Sequence, residues 1–218
     1  MKELVDWQQT SWQEAEAILA RVTDQMGQRI DAGILAPVVG LNLLGFRTSA
    51  SCEGHLSWGC PYPWIEFYQD VADPDYEQAV EIASRPDLTP QDQLTARNQL
   101  EAHLTRFVQH DSLYQALGAL LADYLATKPA RNPEGNQMTI LLAPFAPSRY
   151  RLLAAEPSWW QRWDERERME QTDWWEQIPL HERQSKLLCA QAEMAAFAAF
   201  LKARILTRPS GLFSFPLL

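Results

Sequence analysis

The sequence is short of the residues that build a disulfide scaffold. It holds three cysteines, Cys52, Cys60 and Cys189, an odd number with no Cys-x-x-Cys pair. Covalent stapling is therefore not the organising principle, and a reducing, cytoplasmic compartment is expected. Long apolar runs are also missing: the stretch Ala195–Leu201 falls well below the ~20 residues a membrane-crossing helix needs. The first residues, Met1–Trp7, lack a basic region followed by an apolar core, so no secretory leader is expected. Basic residues are scarce in the first half. Residues 1–110 hold 7 Lys and Arg against 16 Asp and Glu, whereas residues 111–218 hold 12 of each, so the whole net charge of −9 lies in the first half. Bulk nucleic-acid binding needs clustered cations to neutralise phosphates and is disfavoured.

What is present is globular in character. The chain has 218 residues, 46% of them apolar, with 14 prolines and nine tryptophans. That is enough for one sizeable domain over residues 1–218. Ser11 with Glu14 forms a capping box, and Ala15, Ile18, Leu19, Val22, Met26 and Ile30 continue at helical spacing. Pro37 is placed to open a short second helix, with Gly45 at its end. Strands are predicted at about 47–51, 63–68, 138–143 and 149–155. Helices are predicted at about 73–84, 90–109, 112–127, 158–170 and 179–206, with a loop over 128–137. The fold class is α+β: a small mixed or antiparallel sheet of about four strands packed with several helices.

The segment Thr48-Ser-Ala-Ser-Cys-Glu-Gly-His55 concentrates chemistry at the end of the first predicted strand. Thr48, Ser49 and Ser51 offer hydroxyls, and Gly54 lets the backbone, with that of Cys52, present N–H groups to a phosphate or carboxylate. The bland alternative is a tight turn of small residues under a helix. Three chemistries compete. Cys52, His55 and Cys60 have the spacing and donor types for a zinc site, with Glu66 or Asp70 as a fourth ligand; alternatively, Cys60 is only a small residue before Pro61. Glu53 and His55 can move protons, or can simply cap a turn and bond a carbonyl. Cys52 as a nucleophile is opposed by the neighbouring Glu53, which disfavours the thiolate.

Trp58, Tyr62 and Trp64 would offer a planar ligand aromatic faces, or would close the core. Arg149 and Arg151 alternate along a strand and project from one sheet face, where they would hold an anion if that face carries the site. Trp159, Trp160, Trp163, Trp174 and Trp175 fall in a tryptophan-rich helical part, about residues 157–208. They would dock helices, form a homodimer contact, or close over the site.

From Asp31 the chain reads Asp-x-Gly-Ile, then Val39-x-Leu41-Asn42, then Thr48-Ser-x-Ser-Cys-x-Gly. Over some 25 residues this resembles the wybutosine-pathway tRNA methyltransferase family, in which a helix with an asparagine-bearing turn leads to a strand carrying Ser-Ser-Cys-Ser-Gly-Arg. It also resembles uncharacterised bacterial and phage proteins with a Ser-Cys-Glu-Gly-His motif. The first likeness implies S-adenosylmethionine and a tRNA base as substrates. Here, however, Glu53 stands for the family's serine and His55 for its arginine, which removes a fixed cation from the phosphate-binding place. What the likeness implies for this chain is an α+β fold with a site at the end of the first strand.

The expectation is a cytosolic enzyme or ligand-binding domain acting on a small anionic or nucleotide-like molecule. The rival is a non-catalytic, complex-forming subunit with a structural or zinc-stapled motif.

Overall fold

The computed structural model describes residues 6–7, 9–24, 27–57, 60–69, 73–128, 137–157 and 173–207. Its elements run α1 (Trp12–Leu19), α2 (Ala32–Leu43), β1 (Thr48–Cys52), β2 (Trp64–Tyr68), α3 (Pro74–Ala83), α4 (Pro90–His110), α5 (Ser112–Ala126), β3 (Thr139–Ala146), β4 (Arg149–Ala155), α6 (Asp173–Glu176) and α7 (Leu180–Leu206). The four strands form one antiparallel sheet in the order β1-β2-β4-β3. The fold is α+β, as the sequence indicates. Among the described residues, no helix is long and apolar enough to cross a membrane. The expected helix over 158–170 lies outside the described residues.

Helix α2 is the pivot. Ile34, Val38, Val39, Leu41 and Leu43 are all buried and lie on every side of it, so it is packed all round rather than amphipathic. It contacts α1, α7, β1 and β2. Gly40 allows the closest of these approaches, since a Cβ there would sit 2.8 Å from the Cβ of Leu201 on α7. The helix ends in a Schellman arrangement, with Phe46 N–H donating to the Leu41 carbonyl, Gly45 N–H donating to the Asn42 carbonyl, and Gly45 at φ +91°.

Two predicted boundaries move. Helix α1 stops at Leu19 instead of running to Ile30. The polar turn that follows competes successfully with the helix: Asp24 Oδ1 accepts the Gln28 N–H, Gly27 takes φ +78°, and Thr23 bridges Arg29. Helix α2 starts at Ala32, not Pro37. The proline is tolerated inside it because the only carbonyl it leaves without a helical donor is that of Gly33, in an exposed first turn.

Helices α3, α4 and α5 start at their expected positions. Asp73, Thr89 and Asp111 each accept a backbone N–H from the first turn of α3, α4 and α5.

Candidate functional site

Side chains directly opposite in a sheet share a face. Ala50 pairs Glu66, which pairs Arg151; Cys52 pairs Trp64, which pairs Leu153; Tyr68 pairs Arg149. Cys52, Trp64, Glu66, Arg149 and Arg151 therefore stand on one face. Ser51 belongs to the other, with the fully buried Ile65, Phe67, Tyr150 and Leu152 of the core.

At the end of β1 the chain crosses the N-terminus of α2, and two carboxylates exchange partners there. Asp31, the N-cap residue, does not cap its own helix; its Oδ2 accepts the Glu53 N–H at 3.2 Å. Glu53 in turn supplies the cap, its Oε2 accepting the Gly33 N–H at 2.9 Å. The pair works like a capping box assembled from residues some twenty positions apart. Gly33 permits it, because a Cβ there would lie 2.6 Å from that oxygen.

The result is a compact polar cluster. One ligand-type atom each from Asp31, Cys52 and His55 lies within 4.8 Å of the other two, and all three residues are half-buried. Glu53 and Cys60 are not members of this cluster. The carboxylate brought to His55 is thus that of Asp31, a residue to which the sequence assigned no chemistry. Cys60 folds back by its backbone, its carbonyl accepting the His55 N–H at 3.2 Å. Burial pushes the Cys60 thiol up to about 11. Burial also raises the Cys52 thiol above its usual value, and the charges of Asp31 and Glu53 add to this, while the Gly54 N–H and Arg151 oppose it. Cys52 is therefore set against forming a thiolate unaided.

Long-range contacts hold the loop in place. Gly54, at φ +83°, packs so closely that a Cβ would meet the Pro61 carbonyl oxygen at 2.7 Å and Leu187 Cδ1 at 2.8 Å. Helix α7 presents Arg183, Leu187 and Gln191 at successive four-residue steps on one side. Arg183 donates to the Leu56 carbonyl at 2.8 Å and Gln191 to that of Glu53 at 3.1 Å. Trp175, 1% exposed, donates its indole N–H to the same Leu56 carbonyl at 3.1 Å and meets Tyr62 edge-on at 5.6 Å. Trp175→Phe is expected to cost about 2–3 kcal/mol in chemical denaturation, chiefly from the cavity left by the smaller ring of a fully buried residue, because Arg183 still serves the Leu56 carbonyl. A loss below about 1 kcal/mol would show that the indole is not packed as tightly as its burial indicates.

Arg151 is held from three sides. Its Nε donates to Glu66 Oε2 at 2.9 Å, and its guanidinium lies 4.1 Å from the Trp64 ring centre and 4.5 Å from that of Phe145. Glu66, itself buried, also takes Arg149 as a partner at 3.1 Å. Arg151's charge reaches both Cys52 and Cys60, lowering the tendency of each thiol to stay protonated.

The remaining site residues named from the sequence divide as follows. Thr48 accepts from Asn42 Nδ2 at 2.9 Å, and the same amide donates to the Val38 carbonyl, so its hydroxyl ties β1 to α2. Ser49 is exposed and Ser51 points to the core side, so the two serines do not line the Cys52 face as a cradle. Trp64 has one ring face occupied by Arg151, and Tyr62 is buried. Glu66 is committed to two arginines. Trp58, Asp70, Trp159, Trp160 and Trp163 lie outside the described residues, as does the side chain of Trp174.

Comparison of the chain with protein-family models, curated proteins and solved structures finds no match.

Proposed function

We propose that this protein is a cytoplasmic enzyme or ligand-binding domain for a small anionic molecule, taken up on the sheet face shared by Cys52 and Arg151. One observation carries the reading: the pre-organised Arg151. Its Nε is used by Glu66 and its guanidinium carbon lies over the rings of Trp64 and Phe145, while its two terminal amino groups have no hydrogen-bond partner among the described residues. Those two amino groups form a fork suited to a carboxylate or phosphate. Holding the guanidinium in advance lowers the ordering cost of binding. The Asp31–Cys52–His55 cluster supplies the reactive groups beside it, and Glu53 positions them by locking α2 to the end of β1.

Occupation of Trp64 by Arg151 favours a small anion over a stacked nucleobase. The free cysteines, Cys52, Cys60 and Cys189, accord with a reducing cytoplasm.

The test is thermal-shift screening and calorimetry with inorganic phosphate, adenosine monophosphate, phosphorylated sugars, dicarboxylates and S-adenosylmethionine. At least one anion is expected to raise the Tm saturably. Arg151→Met keeps the apolar stem between the rings but removes the fork, and should weaken that anion about 10- to 100-fold, as loss of charge-assisted hydrogen bonds does. The reading is abandoned if none of these anions shifts the Tm, or if the Met variant binds as tightly as the natural chain.

A further inference from the structure

We infer that Asp31, Cys52 and His55 form a site for a divalent metal ion of the zinc class, with no fourth protein ligand among the described residues. The site is that of the anion reading, but the inference does not draw on Arg151, so either can fail alone.

The donor set is the first argument. One carboxylate, one sulfur and one imidazole match zinc, cobalt or iron, whereas magnesium and calcium take oxygen donors. Deprotonated aspartate and cysteine with neutral histidine would bring two negative charges to an ion of charge +2.

Geometry is the second. In tetrahedral coordination with bonds of about 2.0–2.3 Å, neighbouring ligand atoms stand roughly 3.3–3.8 Å apart. The three atoms here lie within 4.8 Å of one another, so closing on an ion needs only small side-chain rotations.

Support around the ligands is the third. Asp31 is oriented by the Glu53 N–H, Cys52 Sγ accepts the Gly54 N–H at 3.4 Å, and the His55 backbone is pinned by the Cys60 carbonyl. Such outer contacts fix metal ligands in productive orientations. The three ligands also come from a helix start, a strand end and the following loop, so their convergence depends on the tertiary fold.

This arrangement changes the ligand set that spacing alone suggests. Asp31 replaces Cys60, whose thiol is not within the mutual 4.8 Å. With three ligands among the described residues, the set matches the form that catalytic zinc takes, as opposed to the closed four-ligand structural form. His55 then serves as a ligand, not as a carrier of protons.

The experiment is a Co²⁺ titration of the chelator-treated full chain, followed by absorption, with elemental analysis of the protein as purified. One Co²⁺ per chain is expected, giving a sulfur-to-cobalt charge-transfer band that stoichiometric Zn²⁺ abolishes. Cys52→Ser should lose the band. Asp31→Asn and His55→Ala should weaken Co²⁺ at least tenfold, while circular dichroism shows the fold retained. Cys60→Ser should keep the band. The site is refuted if the natural chain binds less than stoichiometric Co²⁺ or gives no thiolate band. It is equally refuted if the band disappears in Cys60→Ser but survives in Cys52→Ser. Should a variant fail to fold, the titration of the natural chain and of Cys60→Ser still decides.

Discussion

Gly54→Ala is expected to destabilise the protein by about 2–5 kcal/mol, read as a fall in the urea midpoint at unchanged slope. Two penalties add. An L-residue in the left-handed region costs roughly 1–2 kcal/mol, and Gly54 has φ +83°. The added methyl would then stand 2.7 Å from the Pro61 carbonyl oxygen and 3.0 Å from the Pro63 nitrogen, both backbone atoms that cannot rotate away. Overpacking of this kind costs about 1–3 kcal/mol. Gly45 is an internal control. It has φ +91° but nothing within 4 Å of its notional Cβ, so Gly45→Ala should lose only the conformational part, about 1–2 kcal/mol. Equal losses at the two positions would show that the packing of the loop against Pro61 and Leu187 is not what holds it. The same substitution at Gly54 should weaken the proposed anion and metal binding beyond its effect on stability, because Cys52 and His55 lie on either side of it.

Glu66→Ala is expected to be nearly as severe, at about 2–4 kcal/mol. Its carboxylate is buried and serves two guanidiniums, and removing one member of a buried ion pair strands the other. The charge left behind is chiefly that of Arg151, whose side chain is 19% exposed and enclosed by Trp64 and Phe145. Arg149 has 48% of its side chain in solvent and can find water instead. Arg149→Ala should therefore cost less than about 1 kcal/mol, in the range of exposed ion pairs. If the two substitutions cost the same, Glu66 is held by the outer arginine and Arg151 is not pre-organised by it.

Much of the fold was legible because its signals are local. The four strands and the starts of α1, α3, α4 and α5 are legible in alternation and in first-turn chemistry such as the Ser11–Glu14 capping box. Hydrogen bonds within the first turn create those starts, and they depend on few distant residues. The failures have physical causes of the opposite kind. The apolar stripe of α1 continues to Ile30, but the polar turn at Asp24–Gln28 ends the helix at Leu19. The proline points to a helix start at Pro37, whereas tertiary burial on all sides supports a helix from Ala32.

The candidate site is half visible in the sequence. The motif from Thr48 to His55 was evident as a cluster of reactive residue types, and the alternation of Arg149 and Arg151 put both on one face. Asp31 carries no local signal of its place in the cluster, since a carboxylate before Ala-Gly-Ile marks only a helix start. Nothing local shows that the helix cap would come from Glu53, freeing Asp31 to face Cys52 and His55. The roles of Arg183, Leu187 and Gln191 were equally hidden, because they depend on the docking of α7 against a loop more than 120 residues earlier.

The site itself is tested most directly by two-dimensional NMR of the isotopically labelled chain, titrated with the anion that gives the largest thermal shift. Saturable chemical-shift changes concentrated at Cys52, Gly54, His55 and Arg151 are the expected result. Changes confined to other parts of the surface would contradict the assignment of this sheet face as the functional centre.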